Sequence, residues 1–462
     1  MRHPQKFFKQ SPRQISRVNL PLMIALSFLA GCAAPGPTSP SLSSNQVPNS
    51  PTNSTTSAPT GPLTVERAVE RALVYSDRIA TLKAAVEVAR QSRRAATDIK
   101  DPVIQADSRS RADNGSVSQD EWDDSRVSVG FYIPNPWLVV PRVDARTADL
   151  RAAEADLRAA TWVVRCDVRQ LFAETDYLTN EVSLTEELVR LNGNILQVVR
   201  SRADHGAATS SELISATRQY LQTQDDLDQT RRRYRLAQRK LAALLNLPPE
   251  SLRLAADTSI SVALPESGLT ADEAEKLARQ RRDDLTALHW RVMAAESTYR
   301  ESRNVRWPWV KEVKGGYLDH STSEKWSIGL AMDVPIFSWT KNHADDEALA
   351  KQKLVAANET AGMRLVSQEI HDAMDELDES RRQQARYDTD VAPLITSMRQ
   401  TLATLKNTAS IMPDQIAAVE VQLLEALRLD LRCRSQSRLA RLNLERIVGS
   451  PLFETVGHAS TP

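Results

Sequence analysis

Two acidic stretches could be read as ligand sites: Asp345-Asp346-Glu347, and Glu369-Ile370-His371-Asp372, which also carries an imidazole. Neighbouring carboxylates are the donor type that holds a hard cation. On a helix, however, consecutive side chains point about 100° apart, and acids are favoured at a helix N-terminus whether or not a cation is present. The first cluster therefore reads as a helix start and the second as a solvated helical face. The seven histidines are His3, His205, His289, His320, His343, His371 and His458. They form no H-x-x-x-H or other ligand spacing. No Ser/His/Asp or Cys/His arrangement is visible, and no glycine-rich phosphate loop. The expectation is no enzyme, no metal and no cofactor. Arg231-Arg232-Arg233 lies among acids, and Lys plus Arg equals Asp plus Glu at 59 each, so no basic surplus points to nucleic acid.

One residue does carry a chemical signature. Residues 1–18 hold Arg2, Lys6, Lys9, Arg13 and Arg17 and no acid, and the short apolar run Leu22–Ala30 follows. A basic stretch before a short apolar core reads as a secretory signal, too short to span a bilayer. It ends in Leu29-Ala30-Gly31-Cys32, which resembles the bacterial lipoprotein box, where the cysteine becomes the first mature residue and is acylated. Ala33, and not an aspartate, follows; by resemblance to the sorting rule of enteric bacteria that favours the outer membrane. Residues 1–31 are thus expected to be a signal peptide, and 32–62 a lipidated cysteine with a Pro/Ser/Thr tether of roughly 30 Å reach. Cys166 and Cys433 fall in helical stretches and read as buried thiols, with a bridge permitted only by suitable geometry.

From Leu63 onward two halves align. Leu63-Thr64 with Ala68 and Ala72 matches Leu269-Thr270 with Ala274 and Ala278 at an offset of 206, which also takes Pro102 to Pro308. Beyond a loop the offset becomes 199, taking Ser128 to Ser327 and Pro136 to Pro335. The halves are 63–250 and 269–450, with a linker at 251–268 and a tail at 451–462. Each reads as helix, strand, strand, Pro, long helix, helix. Two copies indicate duplication and not a solenoid.

The strands show a period of two. Val127, Val129, Phe131 and Ile133 are apolar, as are Trp326, Ile328, Leu330 and Met332, with small or polar residues between them. One face of each strand is oily. Their partners near 102–112 and 308–318 alternate poorly. Tryptophans 122, 137, 307, 309, 326 and 339 gather near the strand ends, as at a membrane interface. The helices are long: Arg142–Arg202 contains no proline, and Leu150, Leu157, Val164, Leu171 and Leu178 form a heptad seam. The second long helix runs from about Lys341 to Leu405, with a break near Pro393.

Four strands cannot sit in lipid as an open sheet, because their edge N–H and C=O groups would lack partners. If they are membrane strands, several chains share one barrel, since at least about eight strands are needed.

At this point the order of motifs resembles the TolC family of outer-membrane efflux proteins. Val334-Pro335-Ile336-Phe337-Ser338-Trp339 is similar to that family's P-L-F-x-x-G stretch without the glycine, and Leu63-Thr64-Val65-Glu66-Arg67-Ala68 to its L-T-L-x-x-A opening. Arg202-Ala203-Asp204-His205-Gly206, with Thr209 and Glu212-Leu213, resembles the turn motif R-Y-x-x-G-x-x-S-x-x-D-L. Leu244–Pro249 resembles L-L-G-L-P-P, and Arg282-Asp283-Asp284-Leu285 resembles R-P-D-L with Asp for Pro. The resemblance covers about residues 63–450. It implies a mainly α fold with membrane β: long antiparallel coiled-coil hairpins plus four strands per chain in a shared trimeric twelve-stranded barrel. It implies a homotrimer in outer-membrane lipid, most of it in the periplasm, docked to a periplasmic adaptor (membrane fusion) protein and an inner-membrane pump. It places the periplasmic tip and adaptor contact on Arg202, Gly206, Thr209 and Glu212. The second tip, about Asn407–Gln415, has no glycine; Asp414 stands where the family places gate-lining acids, though a helix cap is its plainer role. Pro136 and Pro335 mark where barrel becomes helix.

The function expected is a passive trimeric conduit of a tripartite efflux system, exporting small toxic solutes such as drugs or metal ions. The alternatives are the channel of a type I protein secretion system, and a periplasmic coiled-coil scaffold lipoprotein without a channel.

Overall fold

Nine helices and four strands alternate in the duplicated order among the residues that the computed structural model describes: 62–109, 124–252, 254–255, 269–320, 323–334, 336, 343–407 and 413–452. All belong to one unit, Ala58–Pro462. The signal, Cys32 and the tether lie outside the described residues, as do Trp122, Trp339 and most of the linker.

The first half contains α1 (Val65–Tyr75), α2 (Asp77–Ala95), β1 (Val103–Arg109), β2 (Asp124–Tyr132), α3 (Pro136–Asp204) and α4 (Ser210–Leu244). The second contains α5 (Ala271–Arg281), α6 (Asp283–Asn304), β3 (Trp309–His320), β4 (Ser323–Asp333), α7 (His343–Arg386), α8 (Ala392–Asn407) and α9 (Pro413–Val448). Both ends of α1 map onto both ends of α5 at the offset of 206, and the start of β1 maps onto the start of β3. The paired alanines explain why. Ala68, Ala72, Ala274 and Ala278 are all fully buried. A helix of 11 residues is marginal alone, and small side chains let it seat closely on the long helices. α1 packs on Val164, Val168 and Phe172 of α3, and α5 on Val366, Ile370 and Leu377 of α7.

α3 has 69 residues, or about 100 Å of helix. Its heptad seam is real: Leu150, Val164 and Leu178 are buried, and Leu157 and Leu171 pack on the first core. It begins six residues earlier than its proline-free stretch, because Pro136 occupies the first helical position, where the missing N–H costs nothing. The second long helix is not continuous. Tyr387–Val391 form a π-helical turn, and α8 resumes at Ala392. Pro393 explains the break: its ring cannot accept the carbonyl of the residue four back, and widening one turn relieves the clash.

Both returning helices end alike. Asn246 after α4 has φ 49° and Gly449 after α9 has φ 80°, so each half stops its last helix with a left-handed residue.

Candidate functional site

The four strands form one antiparallel sheet in the order β1-β2-β3-β4. Directly paired residues share a face. Val127, Val129 and Phe131 pair with Tyr317, Gly315 and Val313, which pair in turn with Trp326, Ile328 and Leu330. Ile104 joins this face opposite Val129, and Met332 joins it opposite Val310. Along β4 the four outward residues are 57% to 86% exposed. Burying such a side chain is worth about 1.5–3 kcal/mol, so a row of them open to water is a standing liability that an apolar surrounding would remove.

The opposite face is polar and small. Gln105, Ser128, Gly316 and Ser327 align across it, as do Gly130, Lys314 and Gly329. A Cβ at Gly316 would approach Ser327 Oγ to 2.9 Å and Ser128 Cβ to 3.3 Å, so the crowding lies on this side. A register shift between Val310 and Glu312 leaves Lys311 extra. That bulge puts Val310 and Val313 on the same face although they are three residues apart, which is why β3 alternates poorly when read as a regular strand.

Where sheet becomes helix, backbone groups of the first half are satisfied by side chains of both halves. Asn135 Oδ1 accepts from Trp137 N at 2.9 Å, capping α3. Pro141, inside α3, has no N–H to give the carbonyl of Trp137, and Asn304 Nδ2 donates to that oxygen at 2.7 Å instead. Trp309 Nε1 donates to the Ile133 carbonyl at 3.2 Å. Arg306 forms an ion pair with the buried Asp345. Two of the three acids at 345–347 thus have protein partners: Asp345 anchors the β3 entrance, and Glu347 pairs with Lys351 one turn on, at 2.5 Å. Pro335 lies outside the described residues; next to it, Ile336 N donates to the Val334 carbonyl at 2.9 Å.

At the far end of α3, Gly206 has φ 71° and carries the turn into α4. Ala207 N closes it by donating to the Arg202 carbonyl at 2.7 Å. Thr209 Oγ1 accepts from Glu212 N at 3.2 Å and caps α4. The structure thus brings Arg202, Gly206, Thr209 and Glu212 into one turn. At the second tip, residues 408–412 lie outside the described residues. α9 starts at Pro413, so Asp414 is the second helical residue and not the flanking cap.

Long-range ion pairs join the helices. Arg428 of α9 reaches Glu181 of α3 at 3.3 Å and Asp226 of α4 at 3.2 Å. Arg169 holds the fully buried Glu445 at 2.6 Å. Arg282, between α5 and α6, donates to Asp284 at 2.7 Å, to Glu369 of α7 at 3.0 Å and to the Ile447 carbonyl of α9 at 3.1 Å. Burial works against ionised Asp284, but the hydrogen bonds and charge of Arg282 outweigh it and hold the carboxyl below its usual range. Glu369 keeps a side chain 38% exposed on its helical face and is tied there to Arg282. His371 remains exposed, its Nδ1 2.7 Å from the Ser367 carbonyl.

Cys166 and Cys433 are free thiols. Burial pushes the buried Cys166 up to about 12 and also raises Cys433, which is half-buried. Among the described residues no group of three or more His, Cys, Asp or Glu is placed to hold a metal, and no helix is long and apolar enough to cross a membrane.

Residues 68–247 match the family model described as outer membrane efflux protein. No curated protein matches the chain. Among solved structures the fold is similar to the outer membrane protein VceC of Vibrio cholerae, at 20% identity and TM-score 0.63, covering 84% of this chain and 96% of that one. The Campylobacter jejuni CmeC outer membrane channel aligns at 14% identity and TM-score 0.66, covering 86% and 87%. The open state of the Neisseria gonorrhoeae MtrE outer membrane channel aligns at 16% and 0.63, covering 84% and 89%.

Proposed function

We propose that this chain, whose residues 68–247 match the outer membrane efflux protein model, belongs to that family, is the outer-membrane channel of a tripartite efflux system and works as a homotrimer. The observation that carries this reading is the sheet: one face apolar and exposed, the other polar and small, with β1 and β4 as open edges. Lipid tolerates no open edge. Three copies joined β4 to β1 close twelve strands, above the minimum of about eight, and their polar faces then line a water-filled lumen. The hairpins α3–α4 and α7–α9 continue that wall into the periplasm.

In this assembly acylated Cys32 anchors each chain in the outer membrane, and the tether lets the anchor sit beside the barrel. The turn at Arg202–Glu212 is the contact for a periplasmic adaptor, which links the trimer to an inner-membrane pump. The conduit is passive, and the pump supplies the energy. Its cargo is small toxic solutes, drugs or metal ions, with selection left to the pump and adaptor.

Planar-bilayer recordings of the purified protein test the reading. Discrete conductance steps support it. A protein that inserts in no bilayer and conducts nothing would favour a periplasmic scaffold.

A further inference from the structure

The junction between α6 and β3 holds a cavity of about 430 Å³ lined by Arg300, Arg303, Asn304, Arg306, Trp307 and Pro308. No acid lines it. Arg306 is committed to Asp345. Arg300 donates to Ser297 Oγ at 3.0 Å, and Arg303 lies 5.9 Å from the Tyr299 ring. Among the described residues neither of these two pairs with a carboxylate, so two positive charges stand at the mouth with hydrogen-bonding capacity left over.

The apolar surroundings fix the level of this cavity. The outward row of β4 runs from Trp326 to Met332 and continues to the exposed Val334, one residue past the strand, eight steps of about 3.3 Å, or ~26 Å. At a tilt of about 40° that spans ~20 Å of membrane normal, against an apolar band of about 25 Å. The row cannot lengthen at the hairpin end, where Asp319 and Glu324 pair in the sheet. The missing length lies at the helical end, where Trp307 is 64%, Ile336 63% and Trp137 57% exposed. Pro308 stands two residues before Val310, which shares the apolar face with Met332. Arginines beside exposed tryptophans at the edge of an apolar band match the headgroup layer, where Trp sits in the interface and Arg reaches phosphate.

We infer that Arg300, Arg303 and Trp307 form a binding site for an anionic phospholipid headgroup of the periplasmic leaflet. This rests on the membrane reading of the sheet. The guanidinium groups hold the phosphate by charge-assisted hydrogen bonds, Trp307 packs against the glycerol and upper acyl region, and Asn304 stays engaged with the Trp137 carbonyl. One site per protomer would place three lipids around the barrel.

The test uses the full-length acylated protein in nanodiscs of phosphatidylcholine with a minor fraction of phosphatidylglycerol, with the lipids retained by the intact particle counted by native mass spectrometry. The expected result is an enrichment of phosphatidylglycerol of about tenfold over its bulk fraction. The double variant R300Q/R303Q should lose it and R300K/R303K should keep most of it, with the same particle mass in all three. Equal retention of both lipids, or an R300Q/R303Q double variant that enriches as the parent does, would overturn the proposal while leaving the channel reading intact. Displacement of the lipid by millimolar inorganic phosphate would make the ligand a soluble anion and overturn the lipid assignment. Failure to enter nanodiscs at all would sink the membrane reading itself, and this site with it.

Discussion

Asn304 donates a 2.7 Å hydrogen bond to the carbonyl of Trp137, the acceptor that Pro141 leaves without its helical donor. The two residues belong to different halves of the duplicated chain, so the start of the first long helix is completed by the end of a helix in the second half. Replacing Asn304 by Ala should cost about 0.5–1.5 kcal/mol. The cost should shrink in the Pro141→Ala background, where the helix supplies its own donor. Thermal melts of the four proteins in one detergent give the coupling directly, and simple additivity would contradict the assignment.

The two faces of the sheet predict opposite responses to charge. Ile328→Lys puts an ammonium on the apolar face, at a cost of about 2–4 kcal/mol near the bilayer midplane, and should sharply lower the membrane-assembled fraction. Lys314→Glu, on the polar face, should leave assembly unchanged. Heat-modifiable migration on gels of outer-membrane fractions reports both.

Much of this was legible in the sequence. The Leu-Thr-x₃-Ala-x₃-Ala phrase located the short helices because their close seating demands alanine, and Pro393 announced its break because a missing N–H acts locally. Gly206 marked the first tip because a left-handed turn disfavours any Cβ. The rest depended on distant partners. Arg282 showed only a weak likeness to a family motif, yet it binds Glu369, 87 residues away, and the Ile447 carbonyl, 165 away. Asp345 looked like part of an acidic cluster until the fold brought Arg306 to it. The strand β3 was obscured by one extra residue, Lys311, which reverses the parity of everything after it.

The Arg282 hub predicts an acid-sensitive component of stability. The Asp284 carboxyl is depressed in the folded state, so it binds its proton more weakly folded than unfolded. Its contribution is fully present above the unfolded value of about 3.9, and is lost as the pH falls through the lower folded value. Tm should therefore drop between about pH 4 and the onset of acid unfolding, and Asp284→Asn should flatten that part of the curve. A variant with the parent's slope would contradict the role of Arg282.

Gly206 and Gly449 separate backbone strain from steric clash. Both have positive φ, but a Cβ at Gly206 meets nothing within 4 Å, whereas at Gly449 it would come within 3.0 Å of Arg282 Cγ and 3.4 Å of Arg282 Cα. Gly206→Ala should cost only about 1 kcal/mol, and Gly206→Asn less. Gly449→Ala should cost more and weaken the Arg282 contacts too. Urea titrations of the two variants rank them, and equal losses would count against the packing at Gly449.

The central claim is that three copies of a four-stranded sheet close one barrel. The most direct measurement is the native mass of the membrane-extracted protein in detergent, with the detergent mass subtracted. The account predicts three chains per particle, held together after dilution. A single chain that stays in buffer once lipid and detergent are removed would contradict it, because an open sheet with that apolar face has no place in a membrane and no need of one.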